Sequence, residues 1–205
     1  MSAPPRVRAA DAHETALVAD VLHDAFADEA GLNYWLRQGA AKESARRRFF
    51  GAAVRDAIHP QRVLHVAEVD GDVQGAAIWL NPGDHAYDYS PLQELMLTPL
   101  LLRIAGIAGM RRALGLGKQL ASHHPKAPHA HLTFLGVRPS AQGLGVGSAI
   151  LKATLAPLDA AGTLAFLETS TERNVALYQR HGFEQTGLIE LPGLRMWTML
   201  RRSRG

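Results

Sequence analysis

The chain has 205 residues, 47% hydrophobic and 20% charged, with a formal net charge of +3 and no cysteine. That length and balance suit one well-buried globular domain spanning residues 1–205, not a disordered chain and not two full domains. The absence of cysteine excludes disulfides, thiolate metal sites and a cysteinyl acyl-enzyme. The arginines fall in short separate groups (Arg46 to Arg48, Arg111 with Arg112, Arg201 with Arg202) without interleaved aromatics, which argues against a nucleic-acid partner.

In chain order, Val7 belongs to a short extended start. Asp11 with Glu14 then forms a D-x-x-E capping box ahead of Leu17, Val18, Val21, Leu22, Ala25 and Phe26, the spacing of one helical face. A second helical pattern, Phe49, Phe50, Ala53, Val54, Ala57 and Ile58, runs up to His59-Pro60, where proline disfavours helix in the residue before it. RVLHVAEV and VQGAAIWL flank Asp70-Gly71-Asp72 and predict an antiparallel hairpin, because Asp-Gly favours a turn with positive φ; Asn81-Pro82-Gly83 closes it. Ser90-Pro91-Leu92-Gln93 supplies an N-cap, a first-turn proline and a capping-box glutamine for a long, glycine-broken apolar helical region. That region reaches about Leu120 and ends at His123-His124-Pro125. HLTFLGV reads as a strand, a glycine loop opens a helix to about Gly162, and LAFLETS is a second buried strand, so the three make a parallel crossover. Asn174 to His181 is a short helix stopped by Gly182, and FEQTGLIEL and LRMWTML are strands joined through Pro192-Gly193.

The start MSAPPRVRAAD has no apolar signal core, and the most apolar segment, Leu95 to Met110, is interrupted by Pro99 and Arg103. Neither export nor a membrane partner is expected, and the default compartment is the cytoplasm.

Between strand and helix lies VRPSAQGLGVGS, Val137 to Ser148, with Gly143, Gly145, Gly147 and Ser148 in six positions. Small residues there let several backbone N–H groups point inward while the helix N-terminus adds partial positive charge, which suits a phosphate; the plainer alternative is a turn that merely joins two elements. A dinucleotide fingerprint begun at Gly143 needs glycine where Ser148 stands and lacks an acidic partner. The GKS/GKT ending of a triphosphate loop is also missing.

The segment does match Q-x-x-G-x-G, from Gln142 through Gly145 to Gly147, preceded by LGVRPS. This resembles the acetyl-CoA pyrophosphate loop of the GNAT superfamily of N-acetyltransferases. AFLETSTERNVALYQRHGFEQTG carries the asparagine, tyrosine and terminal G-F of that superfamily's second cofactor motif as Asn174, Tyr178 and Gly182-Phe183. Across about residues 123 to 200, HHPKAPHAHLTFLGVRPSAQGLGVGSAI, LAFLETSTERNVALYQRHGF and RMWTM together look like the puromycin N-acetyltransferase branch. Upstream, the DAFAD stretch (Asp24 to Asp28) and the apolar helix after Pro91 are compatible without a sharp motif. The likeness therefore carries the cofactor and reaction further than the amine acceptor.

The resemblance implies an α+β (mixed αβ) fold: a central mixed, mostly antiparallel twisted sheet of about seven strands flanked by helices, with a splayed parallel strand pair that binds acetyl-CoA. It implies that the backbone of Leu135, Gly136 and Val137 pairs with the pantetheine arm like an extra strand, with an N–H near the thioester oxygen. It also implies that Gln142, Gly143, Leu144, Gly145, Val146, Gly147 and Ser148 hold the pyrophosphate, with Asn174 and Tyr178 beside the cofactor.

Acetyl transfer from a thioester to an amine needs a neutral amine, support for a tetrahedral oxyanion and a proton for the departing thiolate. Tyr178 follows Asn174 by four residues, so both project from one helical face. A phenol of pKa about 10 can protonate a thiolate of pKa about 8.5 only with help from position. Core packing is the alternative for Tyr178; with the motif, general acid is the reading. Asn174 is compatible with a mere N-cap. Glu168, near the end of a strand beside the expected cleft, is a candidate base acting directly or through water. His123, His124, His129 and His131 are alternatives, and an already neutral amine needs no base at all. The histidine spacing matches no metal-ligand pattern, so no metal is expected.

The function these residues point to is transfer of acetyl from acetyl-CoA to a primary amine of a small molecule, antibiotic or metabolite-like, by direct attack in a ternary complex. A pocket bounded by Leu92 to Leu102 and Phe26 to Trp35 would favour amines with an aromatic or aliphatic body, and the Leu92 to Leu120 region allows a monomer or a homodimer. The alternatives are acetylation of a peptide or protein amine, and a non-catalytic acyl-CoA binding module, which has no use for Tyr178. A dinucleotide oxidoreductase would need the missing fingerprint.

Overall fold

A computed structural model describes residues 4–56, 62–84 and 91–204. The expected helix end at Ala57 to Pro60, the N-cap Ser90 and the side chain of Gln93 lie outside the described residues.

Strand β1 (Arg6–Ala9) pairs antiparallel with β2 (Arg62–Val69), which turns into β3 (Asp72–Leu80). Asp70 and Gly71 both take positive φ, 53° and 91°, the mirror-image turn that matches right-twisted strands. Later come β4 (His129–Val137), β5 (Leu164–Thr169), β6 (Glu184–Leu191) and β7 (Leu194–Arg201). The seven strands order as β1-β2-β3-β4-β5-β7-β6, antiparallel throughout except for β4 beside β5, which agrees with the mixed sheet expected from the sequence.

Helices cover both faces. On one face lie α1 (Thr15–Ala25), α2 (Ala30–Trp35) and α3 (Lys42–Asp56), sealed by an aromatic cluster in which Phe26, Phe49 and Phe50 pack around Phe134 of β4 at centroid distances of 5.7, 5.8 and 5.5 Å. On the other, α5 (Val146–Ala160) buries Val146, Ile150, Leu151 and Leu155 against β2, β3 and β4. Two glycines permit this double approach. A Cβ at Gly75 would stand 2.8 Å from Val146, and one at Gly136 2.8 Å from Ala25 and 2.9 Å from Leu22.

Helix α2 and the first turns of α3 were not expected. Helix α2 is only six residues long, with Glu29 accepting from the N–H groups of Gly31 and Leu32 at its start. The start of α3, KESARRR, hides its inward face because a buried arginine occupies it: Arg46 donates to the carbonyls of His23 and Ala27, closing the end of α1.

Helix α4 (Pro91–His123) is broken at Gly106, where φ is 67° and ψ 177°. Arg37 caps the first segment: its Nε donates to the carbonyl of Arg103 at 2.7 Å, its Nη2 to that of Leu102 at 3.1 Å and its backbone N–H to that of Ile104 at 2.8 Å. Among the described residues no helix is long and apolar enough to cross a membrane.

Candidate active site

The parallel pairing of β4 and β5 lasts four residues, from His129 opposite Leu164 to Leu132 opposite Leu167. Beyond it β5 keeps only its other partner, β7, with Glu168 opposite Thr198 and Thr169 opposite Trp197, while β4 runs on beside β3 alone. A bulge marks the parting: Trp79 faces Leu132 and Ile78 faces Phe134, leaving Thr133 as the extra residue. Leu135, Gly136 and Val137 thus pair with β3 on one side and lie beyond the pairing with β5 on the other.

The glycine loop follows β4. Gly143 and Gly145 take φ of 80° and 82°, a conformation that side chains resist, and Gly145 is the N-cap of α5. No side chain caps the helix, so its first N–H groups stay available to an anion. Ala141 and Val146 anchor the loop in the core, Leu144 stands exposed, and Gln142 donates to the carbonyl of Val137 at 3.2 Å. Gly147 has an ordinary φ, and a Cβ there would meet only Val137 at 3.7 Å and Leu177 at 3.8 Å. Its bareness is not required by the protein's own packing.

Helix α6 (Glu172–Arg180) lies across this loop. Arg173 donates to Gln142 at 3.1 Å, Leu177 approaches Gly147, and the His181 ring lies 2.7 Å from the Ser148 hydroxyl. The helix begins two residues earlier than expected, with Thr171 as N-cap, which removes the reading of Asn174 as a cap. One step round the helix from its contact face, Asn174 and Tyr178 share a side. Tyr178 is buried, its ring 5.9 Å from that of Phe183. Burial, and then the negative charge of Glu29, push its phenol well above the ordinary tyrosine range, so the hydroxyl stays protonated.

Glu168 is not a free carboxylate. Its Oε2 lies 2.7 Å from His131 Nε2 and its Oε1 3.1 Å from His124 Nε2. Burial raises its proton affinity, but the charge of His131 and the hydrogen bonds from His124 and His131 outweigh that and hold the carboxyl down at about 2. His131 Nδ1 is buried with no hydrogen-bond partner among the described residues. Sequence reasoning took Glu168 and the histidines as alternatives; the fold joins them across 37 residues, a pairing that no local spacing encodes.

Glu29 and Ser170 were also missed. Glu29 accepts from the Ser170 hydroxyl and from Gly31 N–H, which ties the start of α2 to the end of β5 at the cleft. A cavity of about 420 Å³ opens beside them, lined by Ala30, Ser170, Leu191, Leu194 and the Glu190–Arg195 ion pair. The stretch Leu92 to Leu102, expected to bound the acceptor pocket, divides in two. Leu92, Leu95 and Met96 are 66%, 69% and 73% exposed, whereas Leu100 and Leu101, like Phe26 and Trp35, are partly buried against the core of α1, α3 and the sheet.

Residues 103–185 match the family model described as the acetyltransferase (GNAT) domain. Among solved structures, the chain is similar to the histone acetyltransferase HPA2 and related acetyltransferase from Corynebacterium glutamicum, at 26% identity and a TM-score of 0.77, covering 100% of this chain and 98% of that one. The polyamine N-acetyltransferase of Drosophila melanogaster shares the fold at 16% identity and a TM-score of 0.65, and a mosquito arylalkylamine N-acetyltransferase like 5b at 17% and 0.62; each covers 97% of this chain and 99% of its own.

Proposed function

Because the chain carries a GNAT acetyltransferase domain and is an acetyl-transferring enzyme, we propose that it moves acetyl from acetyl-CoA to a primary amine of a small molecule, by direct attack in a ternary complex. The observation that supports this reading is proximity: α5 starts without a side-chain cap, β4 runs past its parallel partner, and α6 packs beside both, with Leu177 near Gly147 and Tyr178 in one core cluster with Val146 and Val137.

The pyrophosphate lies against the N–H groups of Gly145 to Ser148, where the helix dipole and the bare backbone favour it. The pantetheine arm extends along Leu135 to Val137, with Asn174 beside it. The amine nitrogen attacks the thioester carbon, and a β4 N–H supports the oxyanion as the C–N bond forms and the C–S bond breaks. The amine proton passes through water to the Glu168–His131 pair. In that pair Glu168 holds the imidazole in position and compensates its charge. Tyr178 donates to the departing sulfur. The burial that keeps its hydroxyl protonated also makes it a weak acid, so its main service is the hydrogen bond to the developing thiolate. A chain without cysteine fits the cytoplasm and a route without a cysteinyl intermediate.

The test is an amine library followed by acetyl-CoA-dependent product formation. The neighbours suggest polyamines and arylalkylamines as first members, and the sequence resemblance adds puromycin. Turnover of at least one small primary amine is expected. Tight acetyl-CoA binding with no acetylated small amine would refute the reading in favour of a binding module or a macromolecular acceptor.

A further inference from the structure

The histidine spacing matches no metal-ligand pattern, yet the fold assembles a donor set. His124 follows directly on α4, His131 lies on β4 and Glu168 on β5, and one ligand atom from each lies within 4.8 Å of the others. The carboxylate oxygens stand 3.1 Å from His124 Nε2 and 2.7 Å from His131 Nε2. In a tetrahedral zinc site with bonds of about 2.0–2.2 Å, ligand atoms lie roughly 3.3 Å apart, so shifts under about 1.5 Å bring this set onto one ion. Two imidazoles and one carboxylate make a three-ligand zinc set with a position left open.

The surroundings favour a cation. Among the described residues no lysine or arginine pairs with Glu168. The Phe166 ring packs 4.8 Å from His124 and 5.6 Å from His131 and keeps one side dry, and the His124 side chain, 25% exposed, gives access.

We infer that His124, His131 and Glu168 form a site for one zinc ion, which suppresses acetyl transfer by occupying the groups that take the amine proton. The site stands on geometry alone; the suppression rests on the role proposed above for Glu168 and His131.

Zinc uptake by the EDTA-treated full chain, followed by calorimetry, is expected to reach one equivalent. Acetylated amine, counted by mass spectrometry because the thiol of CoA itself binds zinc, should fall at least about tenfold as the site fills and recover with EDTA. His124→Gln removes one ligand but neither proton-handling group. Zinc should bind about 10-fold or more weakly, and suppression, read against the variant's own zinc-free rate, should move to higher zinc. Glu168→Gln, read by zinc uptake alone, gives a second removal. His129→Gln is the control for a nearby imidazole outside the set, its ring 5.5 Å from that of His124, and should leave uptake unchanged. Equal uptake by wild type, His124→Gln and Glu168→Gln would overturn the site. One equivalent bound with transfer undiminished would overturn the suppression, and with it the proton role of Glu168 and His131, while the metal site stood.

Discussion

Gly145 and Gly147 stand two residues apart and are glycine for different reasons, so alanine at each should separate folding from binding. At Gly145, φ is 82° and a Cβ would meet nothing within 4 Å, so the only cost is the left-handed backbone. That cost is about 1–2 kcal/mol, or about 2–8 °C in Tm for a chain of this size. At Gly147 the backbone is ordinary and the new methyl makes normal contact with Val137 at 3.7 Å and Leu177 at 3.8 Å. Alanine is favoured over glycine in a helix by up to about 1 kcal/mol, so Gly147→Ala should raise Tm by about 1–4 °C. The same methyl roughens the surface over which the pyrophosphate must pass, and acetyl-CoA should bind at least about tenfold more weakly, about 1.4 kcal/mol. Scanning calorimetry of the free proteins and titration calorimetry with acetyl-CoA read both quantities. A Gly147→Ala protein with raised Tm and unchanged Kd would remove the phosphate from this loop.

Tyr178→Phe keeps the packing against Phe183 and loses one hydroxyl, so Kd for acetyl-CoA and Tm should hold while kcat falls by about 10² to 10⁴-fold under rate-limiting chemistry; full turnover would make the hydroxyl structural. Since the phenol is pushed upward by burial, kcat should show no alkaline loss from Tyr178 at about pH 10, where an ordinary tyrosine ionises. A limb there that vanishes in Tyr178→Phe would contradict the burial argument. Gly136→Ala sets a methyl against Ala25 and Leu22 and should cost about 1–3 kcal/mol in denaturant unfolding, with a stability unchanged counting against the close packing of α1. Asp159, held down to about 2 first by its hydrogen bonds from Arg201 and then by the Arg204 N–H, contributes stability that is present above the ordinary carboxylate range and is lost as pH falls toward 2. Asp159→Asn should therefore flatten the acid side of the Tm profile.

Local signals carried well where the physics is local. The Asp70-Gly71 turn and the glycine loop each announce themselves within a dozen residues, and the crossover from β4 through α5 to β5 is a succession of such local patterns, because turn angles and periodicity are short-range properties. What stayed hidden was decided by distant partners. Helix α2 is too short to show a period, and Arg46 disguises an inward face of α3 by spending its charge on the end of α1. The bulge at Thr133 lies where β5 parts from β4 while β3 stays paired to it. Glu168 looked like a lone acid at a strand end, and only the sheet register and the end of α4 reveal its two imidazoles. The start of α4 read as an acceptor wall because its leucines are apolar, but apolarity does not say which of them face the core: Leu92, Leu95 and Met96 are exposed, while Leu100 and Leu101 are partly buried.

Acetyl-CoA labelled in the acetyl carbonyl and given to the protein with an accepted amine separates direct transfer from an acyl-enzyme route. Direct transfer puts label in the amide product and none on the chain at any time, with initial-rate lines that intersect as both substrates vary. Label trapped on the chain before the amine is added, with parallel lines, would contradict direct transfer in a ternary complex.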